Sequence, residues 1–403
     1  MNAIDTKRTP NPVPGCLIGC LALLAPALVQ AERWYVEPRA SLRAFYDDNV
    51  RLSIADPVST LGGTLSAQVE SGRRTEVSEI GLQGRINSSH HADASDLDET
   101  DFAFGFTSAY QLGRSRFKFD GQLDYDSTLT SEISTSGYVQ ANKRRERFQL
   151  SPSWLYTLSP RTQLETTLSY EDVSYEDVDV IPLFDYSFAR AGLTLTHALS
   201  ERAQAMSRLS FDRYDASQVD TISDSYGFEL GASYMLSETT TLTGFAGVRH
   251  SRSETPTWFG IEESDNTGPL FQLTLNRRFE VGQLRLTAAR SMLPSSSGTL
   301  LDTTSLGVGF EYPLGPRWTF SLDASGYRNR SPDGEQSTND RDYLSFSPKL
   351  SHRLSRSLSL DLSYRYRWQK YDWREDDADS NAVYLGLQYS FVREPLGRAS
   401  VIR

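Results

Sequence analysis

Cysteine is missing wherever a fold could use it. The 403 residues hold two, Cys16 and Cys20, so the rest of the chain has neither a disulfide framework nor a cysteine metal site. Long apolar runs are missing too. No stretch reaches the roughly 18 residues that a membrane-crossing helix needs, which excludes a helical membrane protein. There is no basic block, and the formal charge is −11, so nucleic acid is not an expected partner. Only 38% of residues are hydrophobic. Yet 20 Tyr and 19 Phe are too many for a disordered chain.

Residues 1–31 read as an export signal. Lys7 and Arg8 supply the positive start, 16–29 the apolar segment, and Val29-Gln30-Ala31 an A-x-A-like cleavage site. Leu17-Ile18-Gly19-Cys20 also fits a lipoprotein box, but most of the apolar run follows Cys20. Cleavage near Ala31 is therefore expected, after Sec-type export.

Beyond residue 33 the hydrophobic period is two. In 34–47, Trp34, Val36, Leu42, Ala44 and Tyr46 alternate with Glu37, Arg39, Arg43 and Asp47. In 115–126, Phe117, Phe119, Leu123 and Tyr125 alternate with Arg116, Lys118, Asp120, Gln122 and Asp124. In 357–369, Leu358, Leu360, Leu362, Tyr364, Tyr366 and Trp368 alternate with Asp361, Arg365 and Arg367. Side chains switch faces along a strand, so each segment is a ribbon with one apolar and one polar face.

Tight turns are expected near Gly72, Gly113, Ser159, Ser200, Ser237, Glu280, Gly315 and Ser355. Longer polar connections fall at about 48–58, 88–101, 127–146, 173–183, 214–224, 251–267, 292–302, 329–342 and 369–381. Short and long connections alternate strictly, leaving about 18 strands of the length that a tilted membrane strand needs. A soluble sandwich also alternates, but it mixes its loop lengths. Aromatics gather near strand ends, with Trp154, Tyr156, Tyr234, Tyr312 and Trp318 beside short turns and Tyr46, Tyr125, Tyr170, Tyr214 and Trp368 beside long loops. The expected fold is all-β, a single antiparallel transmembrane barrel over 32–391, with 18 strands and 16 as the alternative. Its short turns would be periplasmic and its long loops external. Residues 392–403 would form a short periplasmic tail.

Gly386, Tyr389 and Phe391, in Tyr384-Leu-Gly-Leu-Gln-Tyr-Ser-Phe391, resemble the terminal signal read by the barrel-assembly machinery, although twelve residues follow the aromatic. Further motifs are Tyr46-Asp-Asp-Asn-Val-Arg-Leu52, Tyr125-Asp-Ser-Thr128 with Ser131-Glu132, Pro152-Ser-Trp-Leu-Tyr-Thr-Leu-Ser-Pro-Arg161 and Ser169-Tyr-Glu-Asp-Val-Ser-Tyr175. With these the chain resembles the outer-membrane β-barrel proteins associated with exosortase (PEP-CTERM) and exopolysaccharide gene clusters. The resemblance covers most of 34–391. It implies an outer-membrane barrel in a Gram-negative envelope that exports polysaccharide, and it brings no catalytic residues.

Alternation places Arg39, Arg43, Arg85, Arg116, Lys118, Arg147, Arg190, Arg208, Arg249, Arg285, Lys349, Arg353, Arg365 and Arg367 in the lumen. Asp120, Asp124, Glu229, Glu311, Asp323 and Asp361 join them, with Glu37, Asp47, Glu79, Glu165 and Asp212. Charges facing lipid would be costly. Inside, they either pair across strands or line a wet pore, and the mixture suits sugars. The loop at 127–146 carries Lys143, Arg144 and Arg145 and is expected to fold inward as part of a constriction. Its basic cluster on the outside, binding lipopolysaccharide phosphates, is the alternative.

No cofactor or metal is expected. His90-His91 precedes a run of acids, but neighbouring residues on an extended chain point apart, and the acids read as a hydrated loop. The acidic stretches 171–179 and 375–379 are placed in external loops. His197 and His352 fall on the apolar alternation. An embedded hydrolase would need a His and a Ser facing lipid. His250 comes nearest and no Ser motif accompanies it, so the chain reads as a non-enzyme. The leading function is a porin-like channel, for exopolysaccharide or its fragments. The alternative is a non-conducting scaffold barrel.

Overall fold

The computed structural model describes residues 33–132, 142–178, 183–257, 260–332 and 340–391. The expected export signal and C-terminal tail lie outside the described residues. Where the period is two, the chain is strand: β1 Arg33–Asp47, β2 Thr60–Arg74, β3 Ser78–His91, β4 Glu99–Leu112, β5 Ser115–Ser127 and β6 Arg144–Ser159. There follow β7 Thr162–Tyr175, β8 Tyr186–Ala198, β9 Ala203–Ala216, β10 Thr221–Ser237, β11 Thr240–Thr257 and β12 Gly260–Phe279. The last six are β13 Gly282–Pro294, β14 Leu300–Pro313, β15 Trp318–Arg330, β16 Arg341–Arg353, β17 Leu358–Tyr371 and β18 Asp377–Ser390. One helical turn, α1 (Thr128–Ser131), follows β5.

Every strand pairs antiparallel with its chain neighbours, and β1 pairs with both β2 and β18, from Arg39↔Ser390 to Asp47↔Ala382. The 18-stranded sheet therefore closes on itself. Closure removes the free sheet edges that lipid could not solvate.

Outside, the apolar half of each ribbon is bare. On β18 the exposed apolar side chains run from Val383 to Phe391, and on β10 from Tyr226 to Leu236. That is close to the 9–11 or so tilted residues that span a hydrocarbon core. An apolar surface encircling the whole molecule belongs in lipid and not in water. At the long-loop end charge returns outside beyond the band, as in the pairs Arg328–Asp342 (2.9 Å) and Arg213–Asp224 (3.5 Å). The molecule is a transmembrane barrel.

Several expected boundaries move. Gly72 lies within β2, opposite Gly81, and the turn comes at 75–77. The expected loop at 251–267 is a continuing β11–β12 hairpin, paired as far as Thr257↔Gly260. Its polar composition reflects water on both sides of strands that rise beyond the apolar band. Tyr214 does not join an outer aromatic girdle. It falls on the inward register of β9 and is fully buried, its hydroxyl donating to the Ser295 carbonyl at 2.8 Å.

Most of the buried apolar residues sit inside the barrel, at its long-loop end, in two clusters. One joins Val173, Tyr175, Leu183, Tyr186, Phe188 and Tyr214 to Met292 and Leu300. The other joins Leu52, Ala94, Leu97 and Leu129, from three different loops, to Tyr343 on β16 and Ala378 on β18. Loops from opposite sides of the wall thus fold into the mouth because only there can their apolar side chains leave water.

Candidate functional site

The lumen is the candidate site. All twenty-five charged residues expected there by alternation lie on the inward register, opposite the exposed apolar set. Contacts across the interior agree with that side: Arg208 Nη1 on β9 donates to Gln272 Oε1 on β12 at 3.3 Å.

The charges fall into two populations. In the long-loop half they are clasped. Arg190 meets Asp212 through two bonds, 2.6 and 3.2 Å. Arg147 bridges Glu171 (2.7 Å) and Asp124 (3.3 Å). Arg208 reaches Glu229 at 3.3 Å and lies 3.9 Å from the Phe245 ring centroid. Asp302 receives Arg249 at 2.5 Å and Arg290 twice at 3.0 Å. Asp47, 1% exposed, accepts from Arg365 (3.1 Å), Arg367 (3.0 Å) and the Ser380 hydroxyl (2.8 Å). Charge-assisted and two-pronged bonds of this kind are the strong ones.

In the short-turn half most charges stand apart. Arg85, Arg116, Lys118 and Lys349, with Asp120, Glu165, Glu311, Asp323 and Asp361, have no ion-pair partner among the described residues, and most are exposed to the lumen. The Arg285 side chain donates to Asn276 at 3.1 Å. Arg43 lies 5.6 Å from the Tyr384 ring centroid, and Arg39 pairs with Glu37 at 3.2 Å. A recess of about 370 Å³, lined by Arg285, Asp323 and several serines, opens in this half.

The expected basic cluster divides. Arg144 and Arg145 begin β6 and do not belong to a loop, and successive strand residues face opposite ways. Arg145 turns inward and clasps Asp126 at 2.8 and 2.9 Å. Arg144 lies 4.5 Å from the centroid of the outward-facing Tyr125 ring and bonds to Asp101 at 3.2 Å. The Lys143 carbonyl accepts from the Thr128 amide at 2.9 Å, and the Lys143 amide donates to the Thr128 hydroxyl at 3.0 Å. The segment that enters the lumen is 127–132. The Ser127 hydroxyl accepts from the Leu129 amide at 3.1 Å, Thr128 is fully buried, and Glu132 accepts from Tyr175 (2.7 Å) and Ser296 (3.1 Å). This carboxylate ties three loop-end elements together.

Other inward groups were missed because they fell in stretches taken for loops. Glu171 lies on β7 and faces the lumen. Arg341 is fully buried on β16, among the rings of Tyr327, Tyr343 and Tyr371, and donates to Gln369 at 2.9 Å. Asp302 falls at the end of another such stretch. Arg290 does not: it follows Leu284 and Leu286 on the outward register of β13, opposite Phe271, and meets Asp302 where the hairpin tip turns inward. Extending the alternation of Tyr343 and Ser345 back by one step would have found Arg341.

A cavity of about 300 Å³ lies against the clasped wall, bordered by Arg190, Arg208, Arg249 and Arg290 with Ser210, Ser225 and Gln272. Gly227 keeps its floor low, since a Cβ there would lie 2.4 Å from Ser210 Oγ. Gly268 likewise leaves room for Arg249.

Elsewhere, His90 and His91 point apart yet both reach Asp98, at 2.5 and 3.5 Å. Among the described residues no group of three His, Cys, Asp or Glu is placed to hold a metal. His250 faces outward, 3.2 Å from Thr267 Oγ1 and 3.8 Å from Asp265. Its neighbouring hydroxyl belongs to a β-branched threonine. Tyr389 and Phe391 face outward in an edge-on pair, ring centroids 4.5 Å apart, and Gly386 faces in beside Arg43.

No family model matches the chain, and no curated protein matches it. Among solved structures it is similar to Pseudomonas aeruginosa OpdK with vanillate (12% identity, 88% of this chain and 99% of that one, TM-score 0.46). It is similar also to P. aeruginosa OccK2 (OpdF) in complex with glucuronate (13%, 89% and 98%, TM-score 0.47) and to Acinetobacter baumannii OccAB3 (14%, 88% and 99%, TM-score 0.42). Likeness this remote assigns neither a family nor a solute.

Proposed function

We propose that the chain is an outer-membrane channel that passes small hydrophilic solutes by diffusion. The observation that carries this reading is the short-turn half of the lumen, where among the described residues most exposed charges of both signs stand unpaired. Such a wall holds water, and barrels of 16–18 strands are wide enough for an aqueous path. The chain would reach the outer membrane of a Gram-negative bacterium through cleavage near Ala31. Gly386, Tyr389 and Phe391 would guide its assembly, and lipopolysaccharide would surround its outer rim. Sugars suit the mixture of Arg, Asp, Ser and Tyr, so exopolysaccharide fragments are the solute class proposed. No covalent chemistry and no cofactor enter this mechanism. Refolded protein in a planar bilayer should give stepwise currents. Heat-modifiable, folded protein without current would overturn the channel.

One observation favours a second reading, a scaffold barrel with a blocked lumen. The two apolar clusters occupy the mouth, and on this reading they never part.

A further inference from the structure

At the long-loop end the barrel wall is split between β12 and β13. The β12–β13 ladder ends at Phe271↔Arg290, yet β12 continues to Gly260 in register with β11. Beyond that point the tip of the β13–β14 hairpin turns into the lumen. It carries Met292 and Leu300 to the cluster around Tyr214, and the Ser296 hydroxyl to Glu132.

Two cavities meet at the split. One is the arginine-bordered recess of about 300 Å³ inside the lumen. The other, about 320 Å³, is lined by Arg290, Asp302, Arg330, Ser331 and Asp340 and by the four successive β12 residues 266–269. Arg290 borders both. Successive strand residues face opposite sides of the wall, so a cavity that touches four in a row wraps around the strand edge. The split lies where the outward side chains of β12 change from Leu273 and Phe271 to Thr267 and Asp265, at the margin of the apolar band. The axial route, by contrast, leads through the loop-filled mouth.

We propose that solutes pass between the lumen and the outside sideways, through a polar window between β12 and β13, and not along the barrel axis. This rests on the channel reading above. The lining selects what passes. Guanidinium, carboxylate and hydroxyl groups surround the window, so it suits a hydrated solute and not a lipid. Each cavity lies at the small end of the roughly 300–1,000 Å³ range of small-molecule pockets, room for about one sugar residue at a time.

Two chemical locks test the route, in a mature chain that has no cysteine of its own. Ser331→Cys, joined to a bulky maleimide–polyethylene glycol, plugs the window. Glu132→Cys with Ser296→Cys, bridged by a short bis-maleimide, ties the mouth loops together. Each is compared in a planar bilayer with its own unlabelled form, after heat-modifiable mobility shows that it is folded. The expected result is current reduced more than twofold by the window plug and unchanged by the mouth bridge. The opposite pattern, or a window plug without effect on a conducting barrel, overturns the window and leaves the channel standing. A barrel that carries no current in any form overturns both.

Discussion

The two halves of the lumen use the same residue types to opposite ends. Toward the long loops, arginines and acids are clasped in pairs, stacked on rings and packed beside two apolar clusters. Toward the short turns, the same side chains stand separate in an open space. The difference lies in what surrounds them. Where loops fold in and exclude water, a charge must find a partner, because an unpaired buried ion is expensive. Where nothing covers the wall, water solvates each ion and pairing adds little. The first half is rigid and closed, and the second stays open to water.

Substitutions should separate the halves, and the largest effect is expected at Asp47. Asp47→Ala leaves the nearly buried Arg367 and its neighbour Arg365 without their shared carboxylate. A loss of about 3–5 kcal/mol is expected, read as a lower urea midpoint for conversion to the heat-modified form. Leu129→Ala comes next. It removes one of the side chains that join three loops to β16 and β18, at a cost of about 2–3 kcal/mol, and protease nicking of the mouth loops should quicken. In the open half, Lys118→Ala and Asp120→Asn should each move stability by no more than about 0.5 kcal/mol, while shifting the reversal potential in a salt gradient in opposite directions. A stability loss at Lys118 as large as that at Asp47 would erase the distinction.

The smallest effect concerns acid. The His91 amide, 2.7 Å away, holds the Asp98 carboxyl below the usual carboxylate range, against a weaker upward push from burial. A carboxyl depressed in the folded state contributes stability above its unfolded value of about 3.9. That contribution is lost as pH falls through the lower folded value. Cleavage of the loop at 92–98 by an acid-active protease should therefore rise modestly below about pH 4. Asp98→Asn should remove the pH dependence.

Much of the barrel was legible because a membrane-facing sheet obeys a single rule, two faces per strand, that survives in the bare sequence. Strand number, closure and the inward set from Arg39 to Arg367 all follow from it. The mouth was not legible. Leu52, Leu97 and Leu129 lie in polar stretches that look like solvated loops, and their burial depends on partners far away in the chain. Glu171, Asp302 and Arg341 were lost where strands rise beyond the apolar band, since both faces are polar there and the alternation fades. Arg144 and Arg145 show the same failure at the start of β6.

The knot at Asp47 also bears on how the chain is made. Its bonds to Arg365, Arg367 and Ser380 join groups 318, 320 and 333 residues apart. Contacts so distant carry the full entropic burden of closing the loop between them and belong to the slow end of folding. They can form only after the final strands have been delivered. A chain truncated before β17 would therefore keep the Asp47 carboxylate without its cations, and the first strand would stay unanchored at its loop end. The same bonds that stiffen the finished wall thus register that the polypeptide is complete.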